Sequence, residues 1–370
     1  MEYKAVATCG FGIESVLSFE LKKLGMRDIA VNDGRITFTA SGTDIAKANI
    51  WLRTAERVMI VLAEYRAATF DELFDGAAEI QWSDIIGRTD AFPVKGFTMN
   101  SMLTSVPACQ SVLKKAVVER LKKDYGSPFL PENGSVTKRI QFAIVKDICT
   151  IMLDTSGDGL HKRGYRPLLN EAPIKETLAA GIVDLARVFP ESHVADPFCG
   201  SGTLVIEAAM RARNIAPGVR REFAGEEYGF LGEDVFKKAR QEAKESVKAD
   251  TGFAGRGLDI DPGVVDIAKK NAERAGVADC VTFAQADARG FVPQPDEIVM
   301  ANPPYGERLM SEREVEELYK EVGESVLRQK YKGLYIISSH PEFEKIFGKK
   351  ATRRRKLYNG MLPCQLYMYY

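Results

Sequence analysis

The densest chemistry in this sequence lies at Asn302-Pro303-Pro304-Tyr305-Gly306, directly after the apolar run Ile298 to Ala301. An aryl amine is a poor nucleophile because its lone pair is delocalised into the ring. The Asn302 side-chain oxygen and the Pro303 carbonyl can both accept hydrogen bonds from such an amino group. That favours a pyramidal nitrogen with its lone pair aimed at an electrophile, an effect of preorganised acceptors. The two prolines, Pro303 and Pro304, stiffen the backbone that carries the acceptors. Tyr305 offers a face for a base taken out of its helix. A plain proline-rich turn is the competing reading, and the position at the carboxyl end of a strand argues against it.

Three more segments fall at strand ends. Asp196-Pro197-Phe198-Cys199-Gly200-Ser201-Gly202-Thr203 joins a strand to a helix, and its glycines let backbone approach a ligand closely. It is not a dinucleotide fingerprint, because Val205 stands where the third glycine would be, and it lacks the lysine of a P-loop. In Gly257-Leu258-Asp259-Ile260-Asp261-Pro262, Asp259 suits a ribose diol, while Asp261 suits the cap of the next helix. Asp287, in Gln285-Ala286-Asp287, can accept from an adenine amino group, or be a solvated turn carboxylate. Cys199 reads as a small packed residue rather than a nucleophile, since no histidine lies near it.

The chain that must position these residues has 370 residues, enough for two or three domains. Lys plus Arg and Asp plus Glu are both 51, so RNA or DNA contact would have to come from local patches, not from net charge. No apolar run approaches a membrane span, and Met1-Glu2-Tyr3-Lys4 has no secretory pattern. The six cysteines contain no CxxC pair and the three histidines are dispersed, so no metal is expected, and a cytoplasmic location is.

Residues 1–55 read as a small β-α-β-β-α unit, with a hairpin turn at Asn32-Asp33-Gly34. Residues 56–160 read as mixed α+β, with a long helix over Val106 to Tyr125. Residues 165–370 alternate strands and helices as a parallel α/β domain does. Strands ending at Asp196, Asp259, Phe283 and Ala301 put all four segments on one edge of one sheet.

Those segments resemble motifs of class I methyltransferases that act on amino groups. With His161-Lys162-Arg163-Gly164-Tyr165-Arg166, Glu171-Ala172-Pro173-Ile174-Lys175-Glu176 and Asn302 to Leu309, nearly the whole chain resembles the THUMP-containing RNA methyltransferases, specifically the bacterial 23S ribosomal RNA guanine-N2 group. The resemblance implies a ferredoxin-like domain, a THUMP domain that holds RNA, and a Rossmann-like α/β catalytic domain using S-adenosyl-L-methionine, with S-adenosyl-L-homocysteine as product. It implies cofactor contacts from Asp196, Phe198, Cys199, Gly200, Ser201, Gly202 and Thr203, from Asp259 at the ribose with Ile260, and from Asp287 at the adenine with Ala288. Asn302 and the segment Ala172, Pro173, Ile174 would complete them. The long stretch Arg211 to Gly255 between the first two motifs leaves the ribose assignment resting on pattern rather than spacing. The larger relatives carry a second methyltransferase domain; one activity is expected here.

Large-subunit ribosomal RNA, or its assembly particle, is the expected partner. Among the basic clusters, Arg353-Arg354-Arg355-Lys356 and Lys162, Arg163, Arg166 are the candidates for phosphate contact. Rival readings are N6-adenine methylation of RNA or DNA, a non-catalytic RNA-binding factor, and a nicotinamide-dependent dehydrogenase, disfavoured by the missing glycine. Residues 156–370 alone are expected to keep cofactor binding and lose RNA methylation.

Overall fold

A computed structural model describes residues 1–166, 174–305 and 311–370. The first half runs β1 (Glu2–Cys9), α1 (Glu14–Lys23), β2 (Arg27–Asn32), β3 (Arg35–Ser41), α2 (Gly42–Trp51), β4 (Ala55–Arg66), α3 (Phe70–Ala78), β5 (Val94–Met99), α4 (Val106–Tyr125), β6 (Ile140–Val145) and β7 (Ile148–Asp154). Local chemistry sets the boundaries. Ser41 and Asp44 form a reciprocal capping box that starts α2. Ser105 caps α4, which Gly126 ends at φ +59°.

These strands make one sheet in the order β2-β3-β1-β4-β7-β6-β5. β4 pairs with β1 on one side and β7 on the other, so residues 1–55 and 56–160 are joined through a shared strand rather than a linker. β5 has no clear period in the sequence. It is an edge strand parallel to β6, and it turns Lys95, Phe97 and Met99 outward, so its alternation lacks the usual polar outer face.

The second half runs α5 (Glu176–Leu185), β8 (His193–Asp196), α6 (Thr203–Ala212), α7 (Val235–Glu245), β9 (Ala254–Asp259), α8 (Pro262–Ala275), β10 (Val281–Gln285), β11 (Glu297–Ala301), α9 (Glu312–Val326), β12 (Gly333–Ser338), α10 (Phe343–Phe347), β13 (Arg353–Asn359) and β14 (Leu362–Tyr369). The sheet order is β10-β9-β8-β11-β12-β14-β13, parallel from β10 to β12 and closed by an antiparallel hairpin. Successive strands move outward from β8 to β10, and the chain then returns to the other side of β8 as β11. The crevice at that reversal, beyond the carboxyl ends of β8 and β11, is where open α/β sheets take ligands.

The core corrects one expectation. Residues 67–151 have their own apolar cluster, built around Trp82, Phe92 and Leu113. Residues 5–60 do not: Leu17, Phe38 and Ile45 belong to one continuous cluster with Ile182, Val205 and Leu366 of the second half. A Cβ on Gly42 would lie 1.8 Å from the Leu231 carbonyl, Gly218 N donates to Ile50 O at 2.9 Å, and Arg53 Nη2 donates to Ile215 O at 2.8 Å. Removing residues 1–155 strips one side of the catalytic domain's core, so the expected result changes: residues 156–370 alone should lose stability and cofactor binding together.

Candidate functional site

The loop after β8 is tied down by its own backbone. Asp196 is 1% exposed, and its Oδ1 accepts from Phe198 N at 2.9 Å. Cys199 N donates to Leu258 O at 2.8 Å, stitching the loop to β9. Gly200 and Gly202 have φ +51° and +85°, a region that L side chains rarely enter. A Cβ on Gly202 would sit 2.9 Å from the Phe283 ring, and one on Gly257 2.6 Å from the same ring. The side chains of Cys199, Ser201 and Thr203 are buried inside this arrangement. Burial and nearby carboxylates push the Cys199 thiol well above its ordinary range, which suits a packing residue and not a nucleophile.

Asp259 braces the loop from the neighbouring strand. Its Oδ2 accepts from Gly200 N and its Oδ1 from Asp261 N, both at 3.0 Å, while Ile260 is 62% exposed beside it. Asp261 caps α8, accepting from Gly263 N at 2.7 Å. Asp287 lies at the next strand end. Its Oδ1 accepts from Arg289 N and its Oδ2 pairs with the Arg289 guanidinium, each at 2.9 Å. Those donors hold its carboxyl below the usual range. Ala288 is buried against Phe291.

Across the reversal, β11 is followed directly by Asn302. Its Oδ1 is buried and has no hydrogen-bond partner among the described residues. Pro303 is buried. The Pro304 carbonyl accepts from Tyr319 Oη at 2.8 Å, and that hydroxyl also meets Ser338 Oγ at 3.1 Å. Tyr305 Oη accepts from Asn359 Nδ2 at 2.7 Å, and burial raises its phenol so that it stays neutral. The loop is thus held from α9 and β13, and Ser338 of β12 holds the Tyr319 hydroxyl in turn. Tyr319, Ser338 and Asn359 were not expected from sequence, because no spacing connects them to residues 302–305. Gly306 to Leu309, Ala172 and Pro173 lie outside the described residues; Ile174 is buried.

Two expected phosphate contacts are corrected. The Arg163 side chain is 1% exposed and pairs with Glu207, itself fully buried, at 3.3 Å. It also donates to the carbonyls of Leu160 and Arg53. The Arg166 side chain is 6% exposed; it pairs with Glu176 at 2.9 Å and donates to Ile174 O and Thr203 Oγ1. Neither guanidinium faces water. They tie the domain junction to the start of α6. Lys162 is exposed and pairs with Asp158. Arg353 is exposed, Arg354 pairs with Glu344, and Arg355 turns inward to Gly12 O and Ser15 Oγ.

Glu312, Glu316 and His340 come close together beside α9. His340 Nδ1 accepts from Glu342 N at 3.2 Å, so Nε2 carries the ring proton toward the carboxylates. A metal would need that lone pair.

Asp196 yields a pH prediction. Burial, with the Asp259 charge adding to it, pushes its carboxyl up to about 8 against the bond from Phe198 N. The unfolded chain loses this proton near 3.8. Its contribution to stability is therefore complete below that value and is lost as pH rises through about 8. Asp196→Asn keeps an acceptor for Phe198 N without a titratable group. Melting temperatures from pH 4 to 9 are expected to fall less steeply for the variant than for the parent chain. Parallel profiles would show that Asp196 is ionised throughout.

Three known families match successive parts of the chain. The family described as "RMKL-like, methyltransferase domain" matches residues 163–368, the RlmL ferredoxin-like domain matches 4–59, and the THUMP domain matches 67–154. A putative RNA methyltransferase of Bacillus subtilis, YpsC, is 42% identical over all of this chain and 96% of its own length. Ribosomal RNA large subunit methyltransferase K/L of Psychromonas ingrahamii is 33% identical over 97% of this chain, which spans about half (49%) of that relative. Among solved structures, SMU.472, a putative methyltransferase complexed with SAH, superposes with a TM-score of 0.92 at 41% identity, covering all of this chain and 98% of that one. A Listeria monocytogenes protein described as a "predicted N6-adenine-specific DNA methylase" also gives 0.92 at 41% identity, over all of this chain and 96% of that one.

Proposed function

The chain belongs to the RMKL-like methyltransferase family, and from that premise we propose that it methylates N2 of a guanine in large-subunit ribosomal RNA. S-adenosylmethionine is the methyl donor of this family. When bound it supplies an electrophilic methyl carbon on a sulfonium. The loop after β8, with Gly200 and Gly202 at positive φ and Asp259 bracing Gly200 from β9, lies at strand ends beside the sheet's reversal, a place that fits a nucleoside-sized group approaching backbone closely. Asp196, Phe198, Gly200, Gly202, Asp259, Ile260 and Asp287 would hold it, with Cys199, Ser201 and Thr203 contributing backbone.

The observation that carries the reading is the Asn302 Oδ1 atom. An acceptor buried without a partner among the described residues is uncommon and calls for an explanation. An exocyclic amino group is the donor it would take, and the Pro303 carbonyl offers the second acceptor. Tyr319 and Asn359 fix the loop, so the acceptors need not reorganise during the reaction. The protein's part is to orient the amine, exclude water around it and hold its lone pair toward the methyl group. A match to the THUMP domain supports RNA over DNA, and the ribosomal relatives support large-subunit RNA, met free or in an assembly particle in the cytoplasm.

The test is nucleoside analysis. Ribosomal RNA from a strain lacking the gene is incubated with the protein and isotopically labelled S-adenosylmethionine, then digested. Labelled N2-methylguanosine is expected. N6-methyladenosine alone would move the reading to adenine, and absence of both cofactor binding and label would leave an RNA-binding factor.

A further inference from the structure

We propose that Phe11, carried by the ferredoxin-like domain, forms with Tyr358 and Lys356 a stacking ledge for an unpaired base of the RNA beside the target nucleotide. The proposal rests on the RNA reading above. Phe11 is 54% exposed at the tip of the turn Gly10-Phe11-Gly12. That turn is pinned rather than frayed. The Glu14 carboxylate accepts from Gly12 N at 2.9 Å and from Gly34 N at 3.1 Å. Gly12, at φ +92°, lies so close to β13 that a Cβ would sit 2.1 Å from the Lys356 carbonyl. Arg355 closes the contact from the other domain, reaching Gly12 O and Ser15 Oγ.

This construction holds an apolar ring out in water in one place. The Phe11 ring meets Tyr358 edge to face, with centroids 5.9 Å apart, and the Lys356 ammonium lies 5.5 Å from the centre of the Tyr358 ring. The next residue, Asn359, is the one that donates to Tyr305 Oη. Side chains alternate along a strand, so the ledge and Asn359 project from opposite sides of β13, the edge strand that carries both the ledge and the brace on the loop that would hold the target amine. Aromatic faces interleaved with cations suit single-stranded nucleic acid, whose bases stack while its phosphates pair. Lys356 and Arg353 are exposed and supply the charge. A base flipped toward Asn302 leaves its neighbour unstacked, and Phe11 would replace the lost partner.

The probe is ribosomal RNA from a strain lacking the gene. For Phe11→Ala, KM for RNA is expected to rise roughly 5- to 100-fold, the range for losing one base–aromatic stack. The kcat at saturating RNA, cofactor binding by calorimetry and the melting temperature should hold, and Phe11→Trp should restore KM. Ultraviolet cross-linking of the unaltered protein to the same RNA should place a nucleotide adduct on the peptide carrying Phe11 or Tyr358. An unchanged KM in an active Phe11→Ala protein overturns the ledge and leaves the RNA reading standing. A changed oligomeric state with unchanged KM also overturns it, in favour of contact between copies. Failure of the parent protein to methylate any of the RNA removes both readings.

Discussion

Asn302→Ala is expected to lower kcat by roughly 10²–10³-fold, the cost of removing one preorganised hydrogen-bonding group from a transition state, with S-adenosylmethionine affinity nearly unchanged. The residue has a side-chain oxygen that is buried without a partner among the described residues, so truncation to alanine breaks no bond of that atom to any of them. The loop's other anchors, Tyr319 Oη on Pro304 O and Asn359 Nδ2 on Tyr305 Oη, stay in place. An interaction made mainly in the transition state lowers kcat and kcat/KM together. Asn302→Asp is the sharper control. A carboxylate keeps an acceptor at the same position, so it should retain more turnover than alanine. Single-turnover kinetics and calorimetry check both variants. Equal losses of turnover and cofactor affinity in Asn302→Ala would make the residue structural, and the amine-acceptor reading would fall.

That residue was visible in sequence because its chemistry is local. Asn302 to Tyr305 follow one another directly, and the buried residues Ile298 to Ala301 of β11 before them form an unbroken apolar run that announced the strand. The glycines of the β8 loop were visible for the same reason, and so was the cap at Asp261. What sequence concealed is held by distant partners. Tyr319, on a helix whose apolar positions read as ordinary core, is the residue that fixes Pro304, and Asn359 reaches Tyr305 from 54 positions away. The shared core of residues 5–60 and the catalytic domain was hidden too. A β-α-β-β-α pattern satisfies a small domain by itself, and nothing in its period says which face meets a second domain. Charge was the least legible property. Lysines and arginines in a run look alike on the page, yet Lys162 lies in water and Arg163, its neighbour, does not.

Arg163 therefore carries the second large expectation, and it concerns stability rather than RNA. Arg163→Met should destabilise the protein by about 3–5 kcal/mol, the usual consequence of deleting one member of a buried ion pair. For a unit of this size that lowers the melting temperature by roughly ten degrees. The guanidinium satisfies Glu207, two backbone carbonyls and the geometry of Tyr165, whose hydroxyl shares the same carboxylate oxygen at 3.1 Å. Methionine can fill the space but leaves the buried Glu207 carboxylate, among the described residues, with the Tyr165 hydroxyl as its hydrogen-bond donor and the Arg53 charge nearby, and leaves the Arg53 carbonyl without that donor. Lys162→Ala makes the comparison, since its ammonium is exposed and pairs with Asp158, itself solvent-facing. It should leave melting unchanged, and if Lys162 meets a phosphate it should reduce the slope of log affinity against log salt by about 0.7–0.9. Thermal melts and salt titrations of RNA binding separate the two residues. A stable Arg163→Met protein with weakened, less salt-dependent RNA binding would return that arginine to the RNA surface.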